Sequence, residues 1–388
     1  MTFTIPDKYR NLTTTNKIQH KGQNLLTIYI IHLIDYVIRE YTYDDLTVPL
    51  YSVVMKQIYG NQYSFYVDYL VGTGFIKEVK GYSTVKHTST MYKLTDDLRG
   101  VFSIRMEDYK LHKKLTRYFD NHNPLFKNSP IPLEIRQKLV DDLKSVTIDY
   151  ERSVEYLEKN LKKNRGKYPK NLSMINKIKN HDLFFSFDNW GRFHSNFTNL
   201  NKEIRTKYLT IDGQPIVELD IKSSQPFFLS QVMKRDPLLF ENEEVKRFID
   251  ILEDNTQDIY RMFVKKYPDY FTSKDEEKNR TKSKLMVLRS LFNRKKKMTK
   301  YKEIFKREFP FIFDYMNMFK YDSLQELWLT LQRRESEFIF NKVYMTVIKQ
   351  IPEIKIITVH DSILYPMKFH EKVKPIWETY RQEMISKK

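Results

Sequence analysis

Two short apolar strands, each closed by an aspartate, constrain this chain more than any other feature. Val217-Glu218-Leu219-Asp220-Ile221 alternates like a buried strand and delivers Asp220 at its end, ahead of Lys222-Ser223-Ser224-Gln225-Pro226 and an apolar helical run from Phe227 to Val232. Ile354 to Val359 is an apolar strand that runs into His360-Asp361-Ser362, followed by a second strand from Ile363 to Met367. Taken singly, each aspartate reads as a cap or turn residue. Together, 141 residues apart, Asp220 and Asp361 are what a two-metal site requires. Hard oxygen ligands on rigid strand ends hold Mg²⁺ ions about 3.5–4 Å apart, so that they clamp the attacking and leaving oxygens of a displacement.

Between the strands lies Arg280-Thr281-Lys282-Ser283-Lys284, continuing to Phe292-Asn293. On a helix Arg280, Lys284, Leu288 and Phe292 recur every fourth residue and share one face, two cations followed by an aliphatic and an aromatic side chain. Such a face suits a triphosphate at its cationic end and a sugar and base at its apolar end. From Arg280 to Arg307 there are twelve Lys or Arg and one acidic residue, more than a solvated face explains, although Lys295-Lys296-Lys297 reads as one. The whole chain carries +18, from 67 Lys+Arg against 49 Asp+Glu, which points to a polyanionic partner such as nucleic acid. With no cysteine, thiol nucleophiles, zinc ribbons and iron–sulfur sites are excluded, and a reducing compartment is expected. No phosphate loop, zinc-protease helix or internal repeat is present. Leu25 to Ile38 is interrupted by His32 and Asp35 and falls short of the roughly 20 residues of a membrane span, and MTFTIPDKYR does not read as a secretory signal. A cytoplasmic protein without membrane partners is expected, and the Lys, Asn, Ile and Tyr richness suggests an AT-rich phage or plasmid genome in a bacterial host.

Residues 22–97 read as a helix over about Gln23 to Glu40, two short helices over Tyr51 to Ile58 and Tyr63 to Val71, and strands at Phe75 to Lys80 and Thr88 to Leu94 joined by a basic tip, Gly81 to His87. Helices followed by such a hairpin resemble winged helix-turn-helix DNA-binding domains, with Tyr63 to Leu70 in the recognition position and Lys80 and Lys86 in the wing as DNA contacts. Winged helices also serve as protein-interaction modules. From Met106 to about His181 the pattern is helical and charged. Lys162-Lys163-Asn164-Arg165-Gly166-Lys167 reads either as a solvated helix end or as a phosphate-tracking segment.

The order of motifs from Asp188 to Met367 resembles the palm and fingers of the family-A polymerase superfamily, which includes bacterial and phage DNA polymerases and the single-subunit RNA polymerases. Gly191-Arg192-Phe193-His194-Ser195-Asn196-Phe197-Thr198-Asn199-Leu200 is similar to the family's stretch along the template–primer duplex, and Arg205 resembles the basic residue that precedes the first acidic strand. Val217 to Gln225 resembles motif A, and Arg280 to Phe292 resembles the fingers helix R-x-x-x-K-x-x-x-Φ-x-x-x-Y. Leu331-Gln332-Arg333-Arg334-Glu335-Ser336 resembles the helix whose glutamine reads the minor groove, and Thr358-Val359-His360-Asp361-Ser362 resembles motif C.

The resemblance implies an α+β fold: an N-terminal winged helix (1–105), a helical thumb-like region (106–187), and an antiparallel palm with fingers (188–388, fingers about 235–320). It implies Asp220 and Asp361 as ligands of two Mg²⁺ ions and Arg280 and Lys284 as catalytic phosphate contacts. Gln225, Leu288 and Phe292 would adjoin the nucleotide. Arg192, Asn199, Arg205, Gln332 and His360 would contact the DNA template and primer. The expected activity is template-dependent nucleotidyl transfer from nucleoside triphosphates, with no proofreading exonuclease. Departures bear on the sugar. Gln225 stands where DNA polymerases place a ribose-excluding Glu, and Phe292-Asn293 replaces Tyr-Gly; both tilt toward deoxynucleotides. His360-Asp361-Ser362 and Leu288 are closer to the RNA-polymerising branch. An RNA polymerase or primase with the same active site, and a catalytically inactive DNA-binding replication or regulatory protein, are the alternatives.

Overall fold

The computed structural model describes residues 1–41, 45–82, 89–96, 98, 100–121, 129–164, 166–292, 298–322 and 324–386. Helices dominate, interspersed with small antiparallel sheets, so the fold is α+β. The chain forms two compact units. One contains Met1–Lys127, Arg136–Phe187 and Phe193–Val217; the other contains Asn128–Ile135, Asp188–Arg192 and Glu218–Lys388.

The chain begins with β1 (Thr2–Pro6), β2 (Lys17–His20), β3 (Gln23–Leu26), α1 (Thr27–Glu40), β4 (Thr47–Pro49), α2 (Ser52–Tyr59), α3 (Tyr63–Gly72), β5 (Ile76–Lys80), β6 (Met91–Leu94) and β7 (Val101–Arg105). It continues with α4 (Tyr109–Asn121), α5 (Leu133–Leu143), β8 (Val146–Ile148), α6 (Tyr150–Asn160), α7 (Lys167–Lys179), β9 (Phe185–Phe187), β10 (Phe193–Ser195), α8 (Lys202–Tyr208) and β11 (Leu209–Ile211). Then comes β12 (Gln214–Asp220), which enters the second unit at Glu218.

Within the first unit, β4, β6 and β5 form an antiparallel sheet in that order, and β1 pairs with β7. The helix expected from Gln23 starts instead at Thr27. Lys21 and Gly22, at φ 46° and 75°, make a two-residue turn that folds Gln23–Leu26 back onto Lys17–His20, and left-handed residues of this kind match the twist of a tight hairpin. Helix α1 is buried nearly all round, as its largely apolar sequence requires, with His32 and Asp35 buried in it. Its Asp35, 1% exposed, accepts the Thr4 N–H at 2.9 Å and pairs with Arg39 Nε at 3.0 Å and Lys177 Nζ at 3.4 Å, tying α1 to β1 and α7. In the basic run after Tyr156, Lys159 and Lys162 pair with Glu155 and Glu158, and Lys170 is buried with Nζ donating to Tyr41 O at 2.5 Å. Most of the expected wing tip, Lys86 included, lies outside the described residues, as do Arg165, Asn293 and Lys295 to Lys297.

The second unit continues with α9 (Ser224–Lys234), α10 (Pro237–Phe240), α11 (Glu243–Glu253), α12 (Ile259–Lys266), α13 (Glu276–Phe292), α14 (Lys300–Glu308), α15 (Pro310–Asp322) and α16 (Leu324–Ser336). A π-helical stretch, Glu337–Tyr344, leads to α17 (Met345–Gln350), β13 (Ile357–Val359), β14 (Ser362–Pro366) and α18 (His370–Ser386). Helix α9 packs on α11 and α16, and α13 packs on α12 and α14. Phe263 anchors that second group, its ring 5.9 Å from Phe305 and 6.0 Å from Phe309. Strands β13 and β14 form an antiparallel hairpin, and β14 neighbours β12 in the sheet. The strand expected from Ile354 is shorter, since only Ile357–Val359 enters the ladder. Among the described residues, no helix is long and apolar enough to cross a membrane.

Candidate active site

The site is built from two abrupt turns and one buried carboxylate, all in the second unit. At the end of β12 the exposed Asp220 is followed by a reversal at Ser223, whose φ of 53° is left-handed, and α9 starts at Ser224. The β13–β14 hairpin turns through His360 and Asp361, with His360 at φ 54°. A non-glycine residue held in this region costs on the order of 1–3 kcal/mol and persists only where its surroundings over-determine it; such residues cluster at functional sites. Both turns adjoin the aspartates singled out from sequence.

Asp361 is half-buried, and its carboxyl is pushed up from the ordinary 3.8 to about 7. Burial contributes most, followed by the negative charges of Glu335 and Asp220. The strands therefore bring Asp220 and Asp361 close enough to repel.

Glu335 was not singled out from sequence, and it organises the site. It is 2% exposed on α16. Arg192 donates to its Oε1 from Nε at 3.0 Å and from Nη2 at 2.7 Å. Its Oε2 accepts the Ser224 hydroxyl at 3.1 Å and Gln225 Nε2 at 2.7 Å. Burial pushes the Glu335 carboxyl up, while Arg192, Ser224 and Gln225 pull the other way. Ser224 also lies within hydrogen-bonding reach of Asp361, so one hydroxyl stands between the two carboxylates. The available signal was an acid three residues after Gln332 in a mixed helix that also carries Glu326, too common a pattern to mark a site.

Arg192 reaches Glu335 from a tight loop. Asp188 Oδ1 accepts the backbone N–H of Trp190 at 2.9 Å and of Arg192 at 2.8 Å, and Gly191 sits at φ 92°. A Cβ on Gly191 would lie 2.9 Å from Pro130 Cγ and from Ser336 Cβ and Oγ, so only glycine fits. Ser336 Oγ donates to the Gly191 carbonyl at 2.7 Å, fastening the loop to α16.

Helix α13 buries Ser283, Met286, Val287, Ser290 and Leu291 and leaves the four-spaced face open: Arg280, Leu288 and Phe292 are half-buried and Lys284 is exposed. Arg280 Nε donates to Asp258 Oδ2 at 2.8 Å, and its guanidinium lies 5.4 Å from the centre of the Tyr260 ring. Asp258 caps α12 through the N–H groups of Tyr260 and Arg261. Burial works against its ionisation, but Arg280 and those N–H groups hold it below the usual carboxylate range. Tyr260 is 2% exposed, and burial pushes its hydroxyl up to about 12. It hydrogen-bonds with Ser223, and the charges of Arg280, Asp258 and Asp361 all act on it. Tyr260 thereby joins the cationic end of α13 to both aspartate turns, a link that periodicity does not reveal.

The other expected contacts are less uniform. His360 is half-buried. Gln332 is 2% exposed, and its Oε1 is buried without a hydrogen-bond partner. In the first unit, Arg205 is 7% exposed and donates to Leu200 O at 3.2 Å, whereas Asn199 and Lys80 are exposed.

The donor chemistry of Asp220 and Asp361 fits a divalent cation of the Mg²⁺ type, which is commonly held by one or two carboxylates together with water and substrate phosphate. Among the described residues, no group of three or more candidate metal ligands forms, so the fit rests on this pair. No protein-family model matches the chain, and no curated protein matches it in sequence.

Proposed function

We propose that this chain is a template-dependent nucleic acid polymerase, acting on deoxynucleotides and lacking a proofreading nuclease. The observation that carries the reading is the electrostatic meeting of Asp220 and Asp361, delivered by strands distant in sequence. Tyr260 carries the influence of Asp361 and hydrogen-bonds with Ser223, Arg280 lies against its ring, and Lys284 follows Arg280 on the same face of α13. Asp220 and Asp361 would hold Mg²⁺, which when bound supplies charge neutralisation and activates the primer hydroxyl. Arg280 and Lys284 would bind the triphosphate. Phe292 would pack at the new base pair, and Gln225 would face the sugar.

The same reading takes β12, β14 and β13 as the palm, α10 to α15 as the fingers and the helices α4 to α7 as a reduced thumb. The succession α1, β4, α2, α3, β5, β6, with sheet order β4-β6-β5, supports a winged helix that recruits the protein to DNA. Helix α3 carries no Lys or Arg, so contact there falls to exposed strand residues such as Lys77 and Lys80.

Primer extension with dNTPs and, separately, rNTPs tests the reading, on primed and unprimed templates and beside Asp220→Ala and Asp361→Ala. Magnesium-dependent extension by the wild type, abolished in both variants, is expected. Activity surviving both alanines removes the two-metal assignment. No extension under any condition, with DNA binding retained, favours a non-catalytic DNA-binding protein, and extension with rNTPs alone moves the assignment to an RNA polymerase or primase.

A further inference from the structure

Gln225 is a flexible side chain, and alone it would make a poor barrier to a substrate sugar. Here its tip is held. Gln225 Nε2 donates to Glu335 Oε2 at 2.7 Å, so the amide NH₂ is the end that faces this acid, whose other oxygen is paired with Arg192. That choice fixes the amide orientation and leaves Gln225 Oε1 buried without a partner. Glu335 is itself immobilised at 2% exposure, with Arg192 on its other oxygen and Ser224 sharing the first. The π-helical stretch begins two residues later, at Glu337, and departures of this kind from α geometry often accompany functional sites.

We infer that Glu335 is the positioning residue that holds Gln225 as a rigid barrier on the sugar side of the nucleotide site, selecting deoxyribonucleotides. The inference rests on the polymerase reading above. A deoxyribose leaves the clasp undisturbed. A ribose with its extra hydroxyl must displace Gln225, and so must break its bond to a buried carboxylate whose other partners stay in place. A pinned side chain rejects the larger sugar where a mobile one yields.

The experiment measures kcat/KM for one dNTP and the matching rNTP on the same primed template, in the wild type, Glu335→Ala, Glu335→Gln and Gln225→Ala, and in the double variant. The ratio of the two values cancels any change in active fraction. The wild type is expected to prefer dNTP, and Glu335→Ala to lower that preference about tenfold or more, as Gln225→Ala does. The double variant is expected to fall no further than Gln225→Ala, because Glu335 acts through Gln225. Glu335→Gln is expected to retain most of the preference, since a glutamine still bonds to a flipped Gln225 amide. If Glu335→Ala does not fold, Glu335→Asp carries the same expectation, its carboxylate being withdrawn from Gln225 by one methylene.

A wild type that prefers rNTP, a ratio unmoved by loss of Glu335, or equal losses added in the double variant each overturn the inference and leave the polymerase reading standing. A wild type that extends nothing overturns the polymerase reading itself, and this inference falls with it.

Discussion

Replacing Asp361 with asparagine is expected to stabilise the metal-free protein at neutral to alkaline pH while abolishing the proposed primer extension. In the folded chain the Asp361 carboxyl is pushed from 3.8 to about 7 by burial and by the charges of Glu335 and Asp220. Between these values the folded state binds more protons than the unfolded state, so stability falls as pH rises through the window and levels off above it. The full shift of about three units corresponds to a ceiling of about 4 kcal/mol. Because the group is only half-buried, solvent screening and relaxation reduce the expected gain to about 2 kcal/mol at about pH 8. An asparagine side chain has nearly the same shape and no charge to lose. The assay is urea unfolding with chelator at about pH 8 and about pH 4.5, repeated with about 10 mM Mg²⁺. Asp361→Asn is expected to raise the midpoint clearly at the higher pH, and the gain is expected to shrink several-fold at the lower, where the wild-type carboxyl is protonated. Magnesium is expected to stabilise the wild type at about pH 8 by binding the folded state, and to leave the variant nearly unchanged. A variant less stable than the wild type at about pH 8, or a gain independent of pH, refutes the claim that neighbouring charge burdens Asp361.

Other substitutions probe the supports of the site. Gly191→Ala combines a left-handed backbone with contacts of 2.9 Å to Pro130 and Ser336, so a loss of about 3 kcal/mol in denaturant unfolding is expected, and a loss under about 1 kcal/mol contradicts the close approach of that turn to α16. Asp35→Ala leaves Lys177 and Arg39 without their buried counter-charge and is expected to cost about 3–5 kcal/mol by the same measurement. Lys284→Ala removes an exposed cation and is expected to leave stability within about 0.5 kcal/mol of the wild type while weakening nucleotide use in primer extension. Unfolding by Lys284→Ala shows instead that the residue serves α13 and not a phosphate.

The legible parts of this chain were those in which one local pattern carries its own constraint. An apolar strand that ends in an acid must leave that acid at a sheet edge or turn, and Asp220 and Asp361 sit there. Four-residue spacing on α13 likewise separates an open face from a buried one, whatever surrounds the helix. Glu335, Tyr260 and the β1–β7 pairing were not legible, because each depends on which distant segment arrives beside it. Burial of cations was hidden for the same reason. Lys170, Lys177 and Lys302 count toward the charge of +18, yet each is less than 9% exposed. Lys170 donates to a backbone carbonyl, and Lys177 does so too while pairing with Asp35. Arg192 and Arg280 are likewise committed to Glu335 and Asp258 in this structure. The charge available to a polyanion is thus smaller than the sequence total and differently placed. For Arg280 to grip a triphosphate it would have to exchange Asp258 for phosphate, whereas Lys284, exposed on the same helix face and without an ion-pair partner among the described residues, would meet it at no such cost.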